Sequence, residues 1–312
     1  MPITPANLTA FSRRAAKPPA RLRTLLLPVA VSLCLCASAC GSGDDGKSVA
    51  PVAVLAAFPA ELGALLEQTT VESTFALANR NFRIGTIGGQ AVVVGMTGIG
   101  LVNATDTTRA LLAHMEVSGI VVSGVAGSPE RIGDVTVPEA WKLVGGAAYD
   151  VDRSWLTVAE RVTMRGGLDF ETCTTRPRNP DDPPVCLLHQ PLIVVGGTGE
   201  SDDPFGGNST GCQPNGGDVF GCDVATAADA EGTFQPKTGG QGSGVAAAVD
   251  METAAIAREA DAAGLRFIAF RAVSDGEGDP LGLPGFPAQF FTYYRLAAHN
   301  AAVAVAAFLG EL

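Results

Sequence analysis

An α/β fold is what this sequence predicts, on three observations. Apolar runs of strand length alternate along the chain with Ala-rich, charge-dotted runs of helix length, the pattern of strands joined through helical crossovers. The hydrophobic share is 46% but aromatic residues supply only 6%, so the core is built from Ala and Val, small enough to pack helices closely on a sheet. Gly-rich turns follow two of the strands, at Thr97 to Gly100 and at Ser123 to Ser128, where a ligand could approach the backbone closely.

The chain opens with a segment that does not belong to the fold. Arg13, Arg14, Lys17, Arg21 and Arg23 form a basic stretch, followed by the apolar run Thr24 to Leu35 and by Ala37-Ser38-Ala39-Cys40. A basic start, a short apolar run and small residues before a cysteine make a bacterial lipoprotein signal, too short for a transmembrane helix. Residues 1–39 are thus expected to be removed and Cys40 lipidated, with 40–50 a tether and 51–312 the folded domain. An envelope location follows, periplasmic or outer-surface, with the lipid anchor as the sole membrane contact.

Val52 to Ala57 reads as the first strand and Glu61 to Glu67 as the start of a helix, with Glu61 in the loop between them. Phe82 to Ile87 and Ala91 to Met96 make a hairpin around Gly88-Gly89, and a helix runs from Val102 to His114. Gly119 to Ser123, Asp134 to Val137 and Leu192 to Val195 are further strands. Ala254 to Ala263 is a helix stopped by Gly264, Phe267 to Val273 a buried strand, and Pro287 to Leu312 a long closing helix. Between 166 and 244 the composition turns to Gly, Pro, Asp and Asn, which reads mostly as a loop-rich insertion.

Charge and cysteine usage narrow the function. The precursor has net charge -11, and removing five basic and no acidic residues with the signal leaves about -16. Such a chain repels nucleic acid and anionic headgroups. Cys173, Cys186, Cys212 and Cys222 remain, an even number expected to form disulfides in an oxidising compartment. Three connectivities are possible, and pairing of neighbours is preferred. There is no CxxC, and His114, His189 and His299 are scattered, so neither a metal nor an organic cofactor is expected.

The chemistry concentrates in Val249 to Asp275. Glu252 stands at the start of one helix, and Ser274 and Asp275 at the C-terminal edge of the strand that follows. That edge is where open α/β sheets bind ligands, and Glu61 sits at the same edge. Two acids, Glu252 and Asp275, converging on one crevice point to chemistry on a polar small molecule.

The segments AAFPAEL, TGIGLVNA, VVSGVAGSPERIGDVTVPEA, VDMETAAIA and FRAVSD together resemble the nucleoside phosphorylase superfamily, most closely its methylthioadenosine/S-adenosylhomocysteine nucleosidases. The resemblance implies a three-layer α/β/α sandwich with a mixed central sheet, usually dimeric, acting on a small-molecule nucleoside. It implies that Glu61 positions water, that Met251 and Glu252 line the ribose, and that Asp275, with Ser274 beside it, protonates the purine. Gly98, Val125, Ala126 and Gly127 would line the substrate.

The implied chemistry is physically coherent. Cleaving an N-glycosidic bond builds positive charge on the sugar and negative charge on the base. A carboxylate at the hydroxyls favours the first, and a carboxylic acid relieves the second. The chain departs from the family where such nucleosidases read Ser-Gly-Asp-Ala-Phe. Here Val195-Gly196-Gly197-Thr198-Gly199 stands, so the aromatic over the base must come from elsewhere, with Phe205, Phe220, Phe286 and Phe290 as candidates. Hydrolysis is favoured over phosphorolysis because Glu61 repels phosphate, and Arg271, mid-strand, reads equally well as an ion-pair partner. Phosphorolysis and a non-catalytic nucleoside-binding lipoprotein for uptake remain the alternatives.

Overall fold

The computed structural model of the protein describes residues 50–176, 181–224 and 246–312. The signal, Cys40 and almost all of the tether lie outside the described residues. In chain order the elements are β1 (Val52–Ala56), α1 (Pro59–Glu67), β2 (Thr70–Leu77), β3 (Arg80–Ile87), β4 (Gln90–Met96) and α2 (Leu101–His114). Then come β5 (Gly119–Arg131), β6 (Val135–Val137), β7 (Ala140–Leu143), β8 (Ala148–Asp150), α3 (Arg153–Arg165), β9 (Cys173–Thr174) and β10 (Val185–Cys186). The remainder are β11 (Ile193–Val195), β12 (Thr198–Ser201), α4 (Gly217–Phe220), β13 (Ala248–Asp250), α5 (Thr253–Ala262), β14 (Arg266–Glu277) and α6 (Ala288–Leu309).

The main sheet is mixed, with the path β2-β3-β4-β1-β5-β13-β12-β7-β8 and a branch in which β14 joins β5 to β6 and β11. Parallel pairing of β1 with both β4 and β5 buries β1 on all sides, which is why VAVLA is apolar throughout. On one face α6 packs on β5 and β14 beside α1 and α3, and on the other α2 packs on α5. The expected three-layer sandwich is the fold observed. Phe308 of α6 meets Phe270 and Trp155, supplying the bulk that the Ala-rich helix otherwise lacks.

The structure revises several boundaries. β5 does not end at Ser123 but runs through Gly124 to Ser128 and on to Arg131, so that segment is strand, not a turn. It stays extended because β14 follows it residue for residue from Arg266 opposite Gly119 to Val273 opposite Ala126, and then, past a register shift, places Asp275 opposite Gly127. For the same reason β14 does not stop at Val273, and Ser274 and Asp275 lie within the strand. Glu61 lies in the first turn of α1, not in the loop before it. β11 and β12 join the main sheet, so the expected loop-rich insertion supplies two strands to the core of the fold. The disulfides close between neighbours, Cys173 with Cys186 across the β9–β10 pair and Cys212 with Cys222 around α4.

Candidate active site

Glu61 is 1% exposed, and its carboxylate bridges the end of β1 to the middle of β5. Oε2 accepts the Ala57 amide at 2.6 Å and Oε1 the Val125 amide at 2.8 Å. Arg271 Nη1 approaches Oε1 at 3.4 Å, leaving Oε2 with acceptor capacity to spare. Burial raises the Glu61 pKa, against the lowering influence of Arg271 and the two amides.

Arg271 is the hub. Its Nε donates to Thr253 Oγ1 at 2.9 Å, and its Nη2 lies 2.7 Å from Asp250 Oδ2 and 3.3 Å from Glu252 Oε2. Room for it comes from Gly124, its partner on β5. A Cβ there would stand 2.1 Å from Arg271 Nη1 and 2.3 Å from Glu61 Oε1. Asp250 is itself held by Ser201 and Thr253 hydroxyls and by the Glu252 and Thr253 amides. Of the two readings the sequence left open for Arg271, the structure shows the ion-pair partner, engaged by three carboxylates.

Glu252 is the N-cap residue of α5, two positions after the end of β13, and its Oε1 accepts the Gly100 amide at 2.8 Å. Its pKa is pushed up to about 8, by burial first, with Asp250 and Glu61 adding to the rise and Arg271 opposing it. One guanidinium cannot neutralise three buried acids, so Glu252 holds a proton around neutral pH.

Asp275 is placed by a register shift. β14 slips against β5 on either side of it, bringing Asp275 opposite Gly127 with Oδ2 only 2.7 Å from where a Cβ of Gly127 would be. Ser274 Oγ donates to Asp275 Oδ1 at 2.7 Å and lies 3.4 Å from the Ala126 carbonyl. Burial raises the Asp275 pKa, and the Ser274 hydroxyl opposes this only in part. Gly127 also pairs with Val249 on its other side, so one glycine adjoins both the strand of Asp275 and the strand leading to Glu252.

The structure thus gathers most of the residues singled out from sequence. Val125, Ala126 and Gly127 adjoin Glu61, Ser274 and Asp275 respectively, and half-buried Met251 precedes Glu252. Gly98 is the exception: the Arg80 guanidinium covers it, and contact with the acids passes to Gly100. Sequence reasoning did not single out Asp250 within VDMETAAIA, nor Gly100 and Gly124 within the two Gly-rich stretches it noted. Among the candidate aromatics Phe205 lies across Gly100, whereas Phe286 and Phe290 belong to a cluster with Phe58 and Tyr294. Phe205 closes Ser-Asp-Asp-Pro-Phe directly after β12, downstream of the Val195 to Gly199 stretch that the family pattern suggested.

Comparison with known proteins gives the family and the fold. A family model described as Phosphorylase superfamily matches residues 51–186 and 216–310. The uncharacterized protein Rv2293c of Mycobacterium tuberculosis is 38% identical over 185 residues, covering 54% of this chain and 74% of that protein. A 5'-methylthioadenosine/S-adenosylhomocysteine nucleosidase of Shewanella denitrificans is 25% identical over 264 residues, covering 84% of this chain and 99% of its own. The crystal structure of the Helicobacter pylori enzyme of the same name superposes with a TM-score of 0.58 at 17% identity, over 85% of this chain and 99% of that one.

Proposed function

The chain belongs to the phosphorylase superfamily, and from that premise we propose that it hydrolyses the N-glycosidic bond of purine-type nucleosides to free base and sugar. The observation that carries the reading is the disposition of three acids with raised pKa values along one sheet edge, Glu61 and Glu252 on the Arg271 hub and Asp275 over Gly127.

Each acid has a task suited to its surroundings. Asp275 keeps a proton that an exposed carboxyl would have lost, and gives it to the departing base. Glu252, poised near neutrality, faces the sugar hydroxyls, and in its ionised form it favours the cation developing on the ribose. Glu61 directs water with the acceptor capacity left on Oε2. Phe205 supplies the apolar face against the substrate. Separate acid and water-directing groups are the usual arrangement for glycosidic hydrolysis.

One observation favours a phosphate-dependent reaction as the second reading. Arg271 is engaged by three carboxylates, but the Arg80 guanidinium against Gly98 has a single hydrogen bond, to Thr107 Oγ1 at 3.2 Å, and no carboxylate partner among the described residues. The test is free-base release by the soluble domain from adenosine, methylthioadenosine, S-adenosylhomocysteine, inosine, guanosine and uridine, with and without phosphate. Release without phosphate supports hydrolysis. Release only with phosphate makes it a phosphorylase, and tight binding without release makes it an uptake component.

We also infer that the protein works outside the cytoplasm on a lipid at Cys40. The two disulfides support this, because an oxidising compartment is where such bonds persist. Cys40→Ser should move the protein from the membrane to the soluble fraction, and an unchanged distribution would refute the anchor.

A further inference from the structure

The segment 202–224, which links β12 to the Cys212–Cys222 loop, is fastened across the crevice rather than left at its rim. It has internal order: the Asp203 carboxylate accepts the Phe205 amide at 2.9 Å, and the Gln213 amide reaches the Phe220 carbonyl at 2.7 Å beside the disulfide. One part is tied to the wall that carries Glu252. Thr210 Oγ1 donates to the Ile99 carbonyl at 3.0 Å, and Asn103 Nδ2 donates to the Thr210 carbonyl at 2.7 Å. Phe205 overlies Gly100, whose amide holds Glu252.

The other part is tied to the wall that carries Glu61. A Cβ on Gly221 would stand 3.2 Å from Pro59, two residues before Glu61. Beyond the disulfide, Asp223 pairs with Arg83 at 2.6 Å, and Asp218 of α4 is held by Arg295. The segment therefore spans both walls. None of these contacts involves Gly127, Ser274 or Gly276, the residues around Asp275.

On the function proposed above, a base lies at Asp275 and a ribose at Glu252. The part of a nucleoside directed away from the base and beyond the ribose is its 5′ substituent. We propose that residues 202–224 form a disulfide-stapled cap that closes over the sugar end of the site and restricts the substrate to nucleosides with a short 5′ substituent. Asn103 and Thr210 act as positioning residues, holding the cap to the Ile99–Gly100 loop without touching the reacting atoms.

The experiment compares methylthioadenosine, with its short 5′ group, and S-adenosylhomocysteine, with its long one. The full domain is studied beside two opened forms: Asn103→Ala, which keeps the disulfide, and Cys212→Ser with Cys222→Ser, which removes it. The wild type should favour the short nucleoside by about tenfold or more in kcat/KM, a discrimination of the size pocket shape can supply. Both opened forms should bring the ratio to within about threefold, through a lower KM for the long nucleoside and not through kcat for the short one. A merely structural role would lower both substrates together. Equal use of the two by the wild type, or an unchanged ratio in both variants, would overturn the cap. Binding of the same pair to Asp275→Asn separates the two proposals. Discrimination there sustains the cap whatever the turnover. Binding without discrimination sinks the cap alone, and no binding of either sinks both.

Discussion

Arg271 Nη2 stands 2.7 Å from Asp250 Oδ2, and each side chain is at most 2% exposed. Two such charges are tolerated away from water only because each is hydrogen-bonded in every direction the fold allows. Asp250 takes two hydroxyls and two amides, and Arg271 reaches Thr253, Glu61 and Glu252. The pair therefore fixes the start of α5 against β14 and, through Glu61, the start of α1 against β5. Fold and site share one electrostatic centre.

Removing the guanidinium should accordingly cost stability as well as activity. Arg271→Met leaves Asp250 without its counter-charge in a dry site shared with Glu61 and Glu252, and about 3–5 kcal/mol of loss is expected for breaking a buried pair on one side. Arg271→Lys keeps the charge but not the planar fork, so it should recover only part of this. Urea denaturation measures both. An Arg271→Met protein as stable as the wild type would mean that Asp250 is not an ionised, buried partner of Arg271.

Asp275→Asn tests the base-side acid. The amide preserves size and can still accept from Ser274, but has no proton to give the base. Free-base release should fall by about two to four orders of magnitude, the usual worth of general acid catalysis, while nucleoside affinity by calorimetry stays within a few fold. In the wild type, release should decline on the alkaline side as Asp275 ionises, at a pH above the ordinary carboxylate range. Turnover at the wild-type rate in Asp275→Asn would assign the acid elsewhere.

Glu252 should leave a mark on stability against pH. Its pKa rises from 4.5 to about 8 on folding, so the folded protein holds a proton that the unfolded chain gives up. The stabilisation this represents is complete below about pH 4.5 and is lost as pH rises through about 8. Glu252→Gln, which cannot ionise, should lack that loss. Urea midpoints at about pH 5, 7 and 9 should show the wild type falling relative to the variant. Parallel curves would show that Glu252 ionises in the fold as it does in water.

What could be read from the sequence was what local pattern records. β1 is a buried parallel strand and therefore continuously apolar, and the helix from Thr253 carries its small-residue face and its Gly264 stop in plain order. β2 escaped notice because TVESTFAL is largely exposed and half polar. The Gly-rich run 124–128 pointed to a turn, yet it is strand, because its glycines leave space for partners from distant elements: Arg271 and Glu61 at Gly124, Asp275 at Gly127. No periodicity announces a glycine kept for someone else's side chain. Phe205 was among four aromatic candidates, and only the path of the chain after β12 singled it out.

Gly127 gives that point its sharpest test. A methyl group there would lie 2.7 Å from Asp275 Oδ2, on a strand held by neighbours on both sides and unable to retreat. The lighter partner must move, and that is the Asp275 carboxyl, which would lose its bond from Ser274 and swing toward water. Rehydration would undo the burial that raises its pKa. Gly127→Ala should therefore fold, with a stability loss of about 1–3 kcal/mol as for other overpacked sites, and should fail mainly in kcat. Its alkaline limb should move to lower pH, because a carboxyl nearer water ionises earlier. A pH–rate profile of the variant beside the wild type decides the matter. A kcat loss with no movement of that limb would mean that the methyl group blocks substrate instead of displacing the acid.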